Sequence, residues 1–185
     1  TKEFFHNILK AFDEELQGRI KWEQRPNNKG LEFEVIEIDT SFKFKHFDLE
    51  VNPFEVDHYP VEPAFGYQIK FLDTGQEKKV VISGDTRKSE NLIEHSLDAD
   101  ALVHEVFVSL EFDEKRMSKE TILNVSDYHT SPKEIGEIAN IAKVKKLILT
   151  HFVPPIFDEN ELIANIEESY NGQIIIGEDL MSIEI

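Results

Sequence analysis

Six side chains of metal-ligand or acid/base type, His58, Asp85, His104, Glu105, His129 and His151, each fall just past a short apolar run. In an open α/β sheet, ligands gather in the crevice beyond the carboxyl ends of the strands, so such residues recurring there constrain the fold as well as the chemistry. The segments between the runs supply the other half of the pattern. Ser131-Pro132-Lys133-Glu134 has the form of a capping box with proline at the first helical position, leading into Ile135, Ile138, Ala139 and Ala142 on one face. Asp158, with Glu161 three residues on, marks a second helix start before Leu162, Ile163 and Ile166.

Toward the amino terminus the signals change. Phe5, Ile8, Leu9, Phe12 and Leu16 recur at helical spacing and predict one amphipathic helix over residues 2–18, ending near Gly18. After the turn-rich stretch 25–30, the segment LEFEVIEI (31–38) alternates apolar and acidic residues and predicts a strand. Further strands are predicted at 42–47, 49–56, 65–71, 79–82, 101–106, 146–149, 173–176 and 181–185. An early β region followed by strand and helix alternation reads as a mixed sheet with helices outside, an α/β sandwich. The sequence shows no internal repeat and no linker long enough to separate two domains.

The 185 residues carry 20 Lys+Arg against 37 Asp+Glu, a formal net charge of -17, which repels a phosphate backbone and argues against nucleic acid as a partner. With no cysteine, any metal must be held by histidine and carboxylate. No apolar run approaches the ~20 residues that span a bilayer, so the expectation is a soluble protein without a membrane role, the cytoplasm being slightly favoured.

Asp85 sits at the tip of the Ser83-Gly84-Asp85-Thr86 turn, directly after an apolar strand. Taken alone, it has a second reading as the cap of a helix near 87–95. His58 follows the strand ending at Val56, and His151 follows Leu147-Ile148-Leu149-Thr150. Three ligand-type side chains at three strand ends favour a divalent-metal site over three separate structural roles. Neighbours on a strand point to opposite faces, so only one of His104 and Glu105 faces the crevice; Glu105 is the choice. Paired with Glu105, His129 would be held in one tautomer and could pass a proton to a leaving group. The plain alternative makes His104 a core residue and His129 an exposed loop residue.

Taken in order, the segments VDHYPVEPAFGYQI, VISGDT, ALVHEV, YHTSPKEIGEIA and LILTHFVPP resemble the metallo-β-lactamase superfamily, in the branch of ribonuclease Z and arylsulfatase-type enzymes. The resemblance spans most of the chain and implies an αββα sandwich. It implies two divalent ions, zinc first with manganese or iron as alternatives. His58 would then be a ligand of the first ion, Asp85 the bridging carboxylate and His151 a ligand of the second, with Glu105 and His129 as the acid/base pair. The family's H-x-H-x-D-H motif is absent from the sequence, so residues 1–185 are expected to be the C-terminal part of a single domain, inactive alone. The connection between Ile69 and Lys79 is short, and Phe152-Val153-Pro154-Pro155 follows His151. These features, with the charge, point to an arylsulfatase-like hydrolase of small sulfate or phosphate esters, acting through a metal-bound hydroxide. The alternatives are a tRNA 3′-end endonuclease and a non-catalytic partner-binding fragment. The resemblance also makes a homodimer plausible.

Overall fold

Antiparallel and parallel pairing meet in one seven-stranded sheet in the computed structural model, and that junction decides where the polar strand ends collect. The structure describes residues 1–108 and 117–185. They divide into two compact units, Thr1–Asp39 and Thr40–Ile185.

The first unit holds α1 (Lys2–Ala11) and α2 (Asp13–Trp22) where the sequence predicts a single helix. The break falls at Phe12, whose φ of -102° and ψ of 7° leave the helical region. Gly18, the predicted stop, lies inside α2. A helix tolerates one interior glycine at ~1 kcal/mol, and here the Glu15–Arg19 pair at 2.8 Å bridges the turn that contains it. Residues 31–38 do not form the predicted strand: among the described residues, no strand lies in this unit. Alternation prepares a face, but a strand exists only where a neighbour completes its ladder.

The second unit contains the sheet, ordered β1 (Phe44–His46), β2 (Leu49–Glu55), β3 (Phe65–Asp73), β4 (Gln76–Ile82), β5 (Ala101–Phe107), β6 (Lys146–Val153) and β7 (Gln173–Ile176). Strands β1 to β4 pair antiparallel, and β4 to β7 pair parallel. The predicted strand at 181–185 is absent; that segment is irregular. Because β2 and β4 both run opposite to β3, they point the same way as β5 and β6. The carboxyl ends of all four therefore share one edge.

Helices α3 (Glu90–Ser96), α5 (Pro132–Ala142) and α6 (Glu159–Glu167) pack side by side, with α3 against β2 to β4 and α5 against β5. Alternate residues Val81, Leu102, Val106, Leu147 and Leu149 meet Leu92, Ile135, Ile138, Ala139, Leu162 and Ile166 in a core closed to solvent. At ~1.5–3 kcal/mol for each large apolar side chain buried, this contact is the main force holding helices to sheet. The Ser131 capping box is formed, with Glu134 Oε2 accepting from the Ser131 N–H at 3.0 Å. Gly136 lets α5 approach α6 closely, since a Cβ there would stand 2.5 Å from the Ile166 carbonyl oxygen. A further helix, α4 (Lys119–Asp127), which the sequence reading misses, leads into the segment carrying His129. Among the described residues, no helix is long and apolar enough to cross a membrane.

Candidate functional site

The shared edge brings five of the six sequence-flagged side chains together. After β2 the chain reaches His58, whose carbonyl accepts the Val61 N–H at 2.8 Å to close a turn. Its Nδ1 lies 2.9 Å from the Tyr128 carbonyl oxygen. A carbonyl only accepts, so Nδ1 carries the hydrogen and Nε2 keeps its lone pair. That Nε2 faces Asp85 Oδ2 at 4.0 Å.

Asp85 owes its place to the turn after β4. Ser83 is buried, its N–H donates to the Val103 carbonyl at 2.9 Å, and its hydroxyl oxygen accepts the Glu105 N–H at 3.2 Å. Gly84 follows with φ of +62°, and a Cβ there would stand 2.5 Å from the Phe65 carbonyl oxygen. Only glycine fits both the dihedral and the space. Asp85 does not cap α3; Ser89 does, accepting the Leu92 N–H.

His151 reaches the same carboxylate through a defect in the sheet. Glu105 pairs with Thr150 and Val106 with Phe152, which leaves His151 as an extra residue on β6, with φ of 48°. Such a bulge re-aims a side chain that strict alternation would send elsewhere. His151 Nε2 stands 3.4 Å from Asp85 Oδ2. Both imidazoles thus turn toward one carboxylate oxygen.

Glu105 is 1% exposed, and both its oxygens are used. Oε2 lies 3.0 Å from His129 Nδ1, and Oε1 accepts the Thr130 N–H at 2.8 Å. This fixes the ring of His129 and leaves its Nε2 for other work. The His129 ring centroid is 5.2 Å from that of His58 and 5.8 Å from that of His151, so three imidazoles crowd around the Asp85 turn. His104 points to the opposite face and is fully buried. Its Nδ1 donates to the Glu105 carbonyl at 2.6 Å, its Nε2 has no partner among the described residues, and burial lowers its pKa, so it is a neutral core residue.

The donor set suits a divalent ion in kind: two imidazole nitrogens and a carboxylate, one imidazole locked by a carbonyl behind it. It is incomplete in number. Among the described residues, no three His, Asp or Glu side chains close on a single point as a metal cage would. Two imidazole nitrogens instead approach the same oxygen, Asp85 Oδ2, at 4.0 and 3.4 Å.

The sequence reading missed the residues that bind these loops to one another. Arg87, Thr86, Thr130 and the carbonyls of Asp57 and Tyr128 link segments 29 to 70 residues apart in sequence. Arg87, adjacent to the Gly-Asp-Thr turn, was the one available signal.

Residues 10–152 match the model of the β-lactamase superfamily domain. The chain belongs to the metallo-β-lactamase superfamily. This superfamily member is 29% identical over 190 residues to a ribonuclease Z of Mycobacterium bovis, an alignment covering 100% of this chain and 64% of that protein. Against a ribonuclease Z of Mycobacterium sp. (strain KMS) it is 31% identical over 155 residues, covering 82% of this chain and 52% of that protein. The chain therefore spans less than two thirds of the length of these relatives. The metallo-β-lactamase fold protein YhfI from Bacillus subtilis superposes with a TM-score of 0.58 at 22% identity, covering 77% of this chain and 52% of that one, a likeness of fold.

These relatives correct the expected partners, a small-molecule ester and no nucleic acid. The proteins aligned along the whole chain are ribonucleases. The alignment is only about five positions longer than the chain itself, so the short connection after Ile69 does not separate this superfamily member from them. Net charge is a weak ground for excluding such a partner, because it sums the whole surface, whereas any polyanion responds to local potential.

Proposed function

We propose that this chain carries part of the catalytic site of a metal-dependent phosphodiesterase of the ribonuclease Z type, cleaving precursor tRNA at its 3′ side. The observation that carries the reading is the convergence of His58 and His151 on Asp85 beside the Glu105–His129 pair. The alignment to ribonuclease Z along the whole chain supports it.

In this reading His58 and His151 would each supply a nitrogen to a divalent ion, with Asp85 as the carboxylate they share. When bound, such ions supply Lewis acidity and an activated water for attack on phosphorus. His129 stands beside that point as the proton donor. Water's oxygen bonds to phosphorus as the ester P–O bond breaks; the departing oxygen takes a proton from His129 Nε2, and the proton that water sheds passes to solvent, from which the imidazole is reprotonated. Glu105, an acceptor at Nδ1, stabilises the imidazolium before transfer and keeps Nε2 directed at the leaving group. Tyr128 holds His58 in the tautomer that presents a lone pair.

The test is cleavage of precursor tRNA bearing a 3′ trailer, by the protein containing this chain, with zinc or manganese supplied. A single cut at the trailer junction, lost in Asp85→Ala, is the expected result. No cleavage with either metal, or full turnover by Asp85→Ala, would overturn the reading.

A further inference from the structure

We propose that Arg87 is a positioning residue, a guanidinium that locks the His58, Asp85 and His129 segments into one frame. The inference rests on the reading above only in taking those three side chains as the working ones. Arg87 lies two residues after Asp85. Its backbone N–H donates to the Asp57 carbonyl at 2.7 Å, and its Nη1 donates to Asp57 Oδ1 at 2.7 Å. The rest of the guanidinium turns to the end of α4: Nη2 donates to Asp127 Oδ2 at 2.9 Å and Nε to the Asp127 carbonyl. One side chain therefore grips the residue before His58 and the residue two before His129.

Two further bonds close the frame. Thr130 Oγ1 donates to the Thr86 carbonyl at 2.5 Å, and His58 Nδ1 donates to the Tyr128 carbonyl at 2.9 Å. Asp57 and Asp127 are 52% and 76% exposed in their side chains, so these ion pairs contribute little to folding. Their consequence is geometric. The planar fork satisfies a carboxylate and a carbonyl on one segment and a carboxylate on the other at fixed angles, which a lysine ammonium cannot reproduce. Asp57 and Asp127 also add negative charge beside Asp85, and Arg87 lies between them as the counter-charge.

The tautomer of His58 reports whether the frame holds. The Nδ1–H form is the one that the Tyr128 carbonyl, held 2.9 Å from Nδ1, requires; a freed imidazole reverts mainly to the Nε2–H form, which turns a hydrogen toward Asp85. Ring ¹⁵N spectra of the full chain, without metal, compare the parent with Arg87→Lys and Arg87→Met. Both variants should unfold within a few degrees of the parent yet move His58 toward Nε2–H and weaken zinc binding by about tenfold, the scale of a lost supporting bond behind a ligand. Asp127→Asn should move the ring the same way, and combined with Arg87→Met it should add little, because the two act as one unit.

An unchanged His58 spectrum in folded Arg87→Met overturns the proposal. If that variant does not fold, an unchanged spectrum in Arg87→Lys and Asp127→Asn overturns it equally. The spectra need no substrate: a parent that fails to cut precursor tRNA while Arg87→Met still shifts the tautomer removes the functional reading and leaves the positioning role standing.

Discussion

His151 depends on one backbone irregularity, and Asp85 on one glycine; neither acts where it does by residue type alone. The ligand-type residues were legible as residues because each follows an apolar run that had to be a strand. Their aim was not, since the bulge at His151 and the close approach of Gly84 to Phe65 arise only once strands are paired. Gly84→Ala is therefore expected to destabilise the fold by roughly 1–3 kcal/mol through forced positive φ and the clash with the Phe65 carbonyl. Urea denaturation measures this. A cost near zero would mean that the turn relaxes and does not hold Asp85 rigidly. His129→Gln keeps the size of the side chain and removes the transferable proton. It should leave zinc content unchanged and slow precursor cleavage by ~10²-fold or more. A substrate with sulfur in place of the departing oxygen needs little protonation and should recover most of that loss. Equal loss with both substrates would remove the acid role.

At the scale of elements, all seven strands were readable from short apolar or alternating runs, and β7 matches to the residue, because each has at least one neighbouring strand that completes its ladder. The alternations at 31–38 and 181–185 read just as well and failed for want of a partner strand. Helix α4 escaped because only Ile122 of its nine residues is buried, too few for a periodic signal. What aligns the parallel strands lies at the edge away from the site. Asp100, just before β5, accepts the Lys79 N–H of β4 at 2.8 Å and the Lys145 ammonium beside β6 at 2.8 Å. Burial pushes the Asp100 carboxyl up, but the Lys145 hydrogen bond and the Lys79 N–H, helped by Lys78, more than offset it and hold it below the ordinary aspartate value of 3.8. A depressed carboxyl contributes stability above its unfolded pKa and loses it as pH falls through the folded one. Asp100→Asn should thus cost about 1.5–3 kcal/mol near neutral pH, the range for hydrogen bonds to a charged group. In denaturation series across pH, the gap from the parent should stay constant down to about pH 4 and narrow below it. A gap independent of pH down to 2 would show that the carboxylate charge is not what staples the strands.

On the scale of the whole molecule, a formal charge of -17 must be reconciled with the polyanionic substrate proposed above. A basic protein gripping 6–10 phosphates shows log K falling with log salt at about -0.9 per contact. This chain lacks the charge excess for that, and Asp57, Asp85 and Asp127 make its site edge acidic apart from Arg87. Substrate phosphate would then be drawn to the divalent ions at Asp85 rather than to a lysine surface, while the rest of the chain repels the RNA. Monovalent salt weakens both terms together, screening the repulsion over about 8–10 Å. The apparent affinity for precursor tRNA, measured from about 50 to 300 mM KCl at fixed zinc, should therefore vary with a slope much shallower than the -5 to -9 of a phosphate-gripping surface. Removing divalent ions with a chelator should abolish binding at low salt, where repulsion is strongest. A steep negative slope that persists in chelator would instead place the RNA on a basic surface, and the acidic edge of this sheet would then serve chemistry alone.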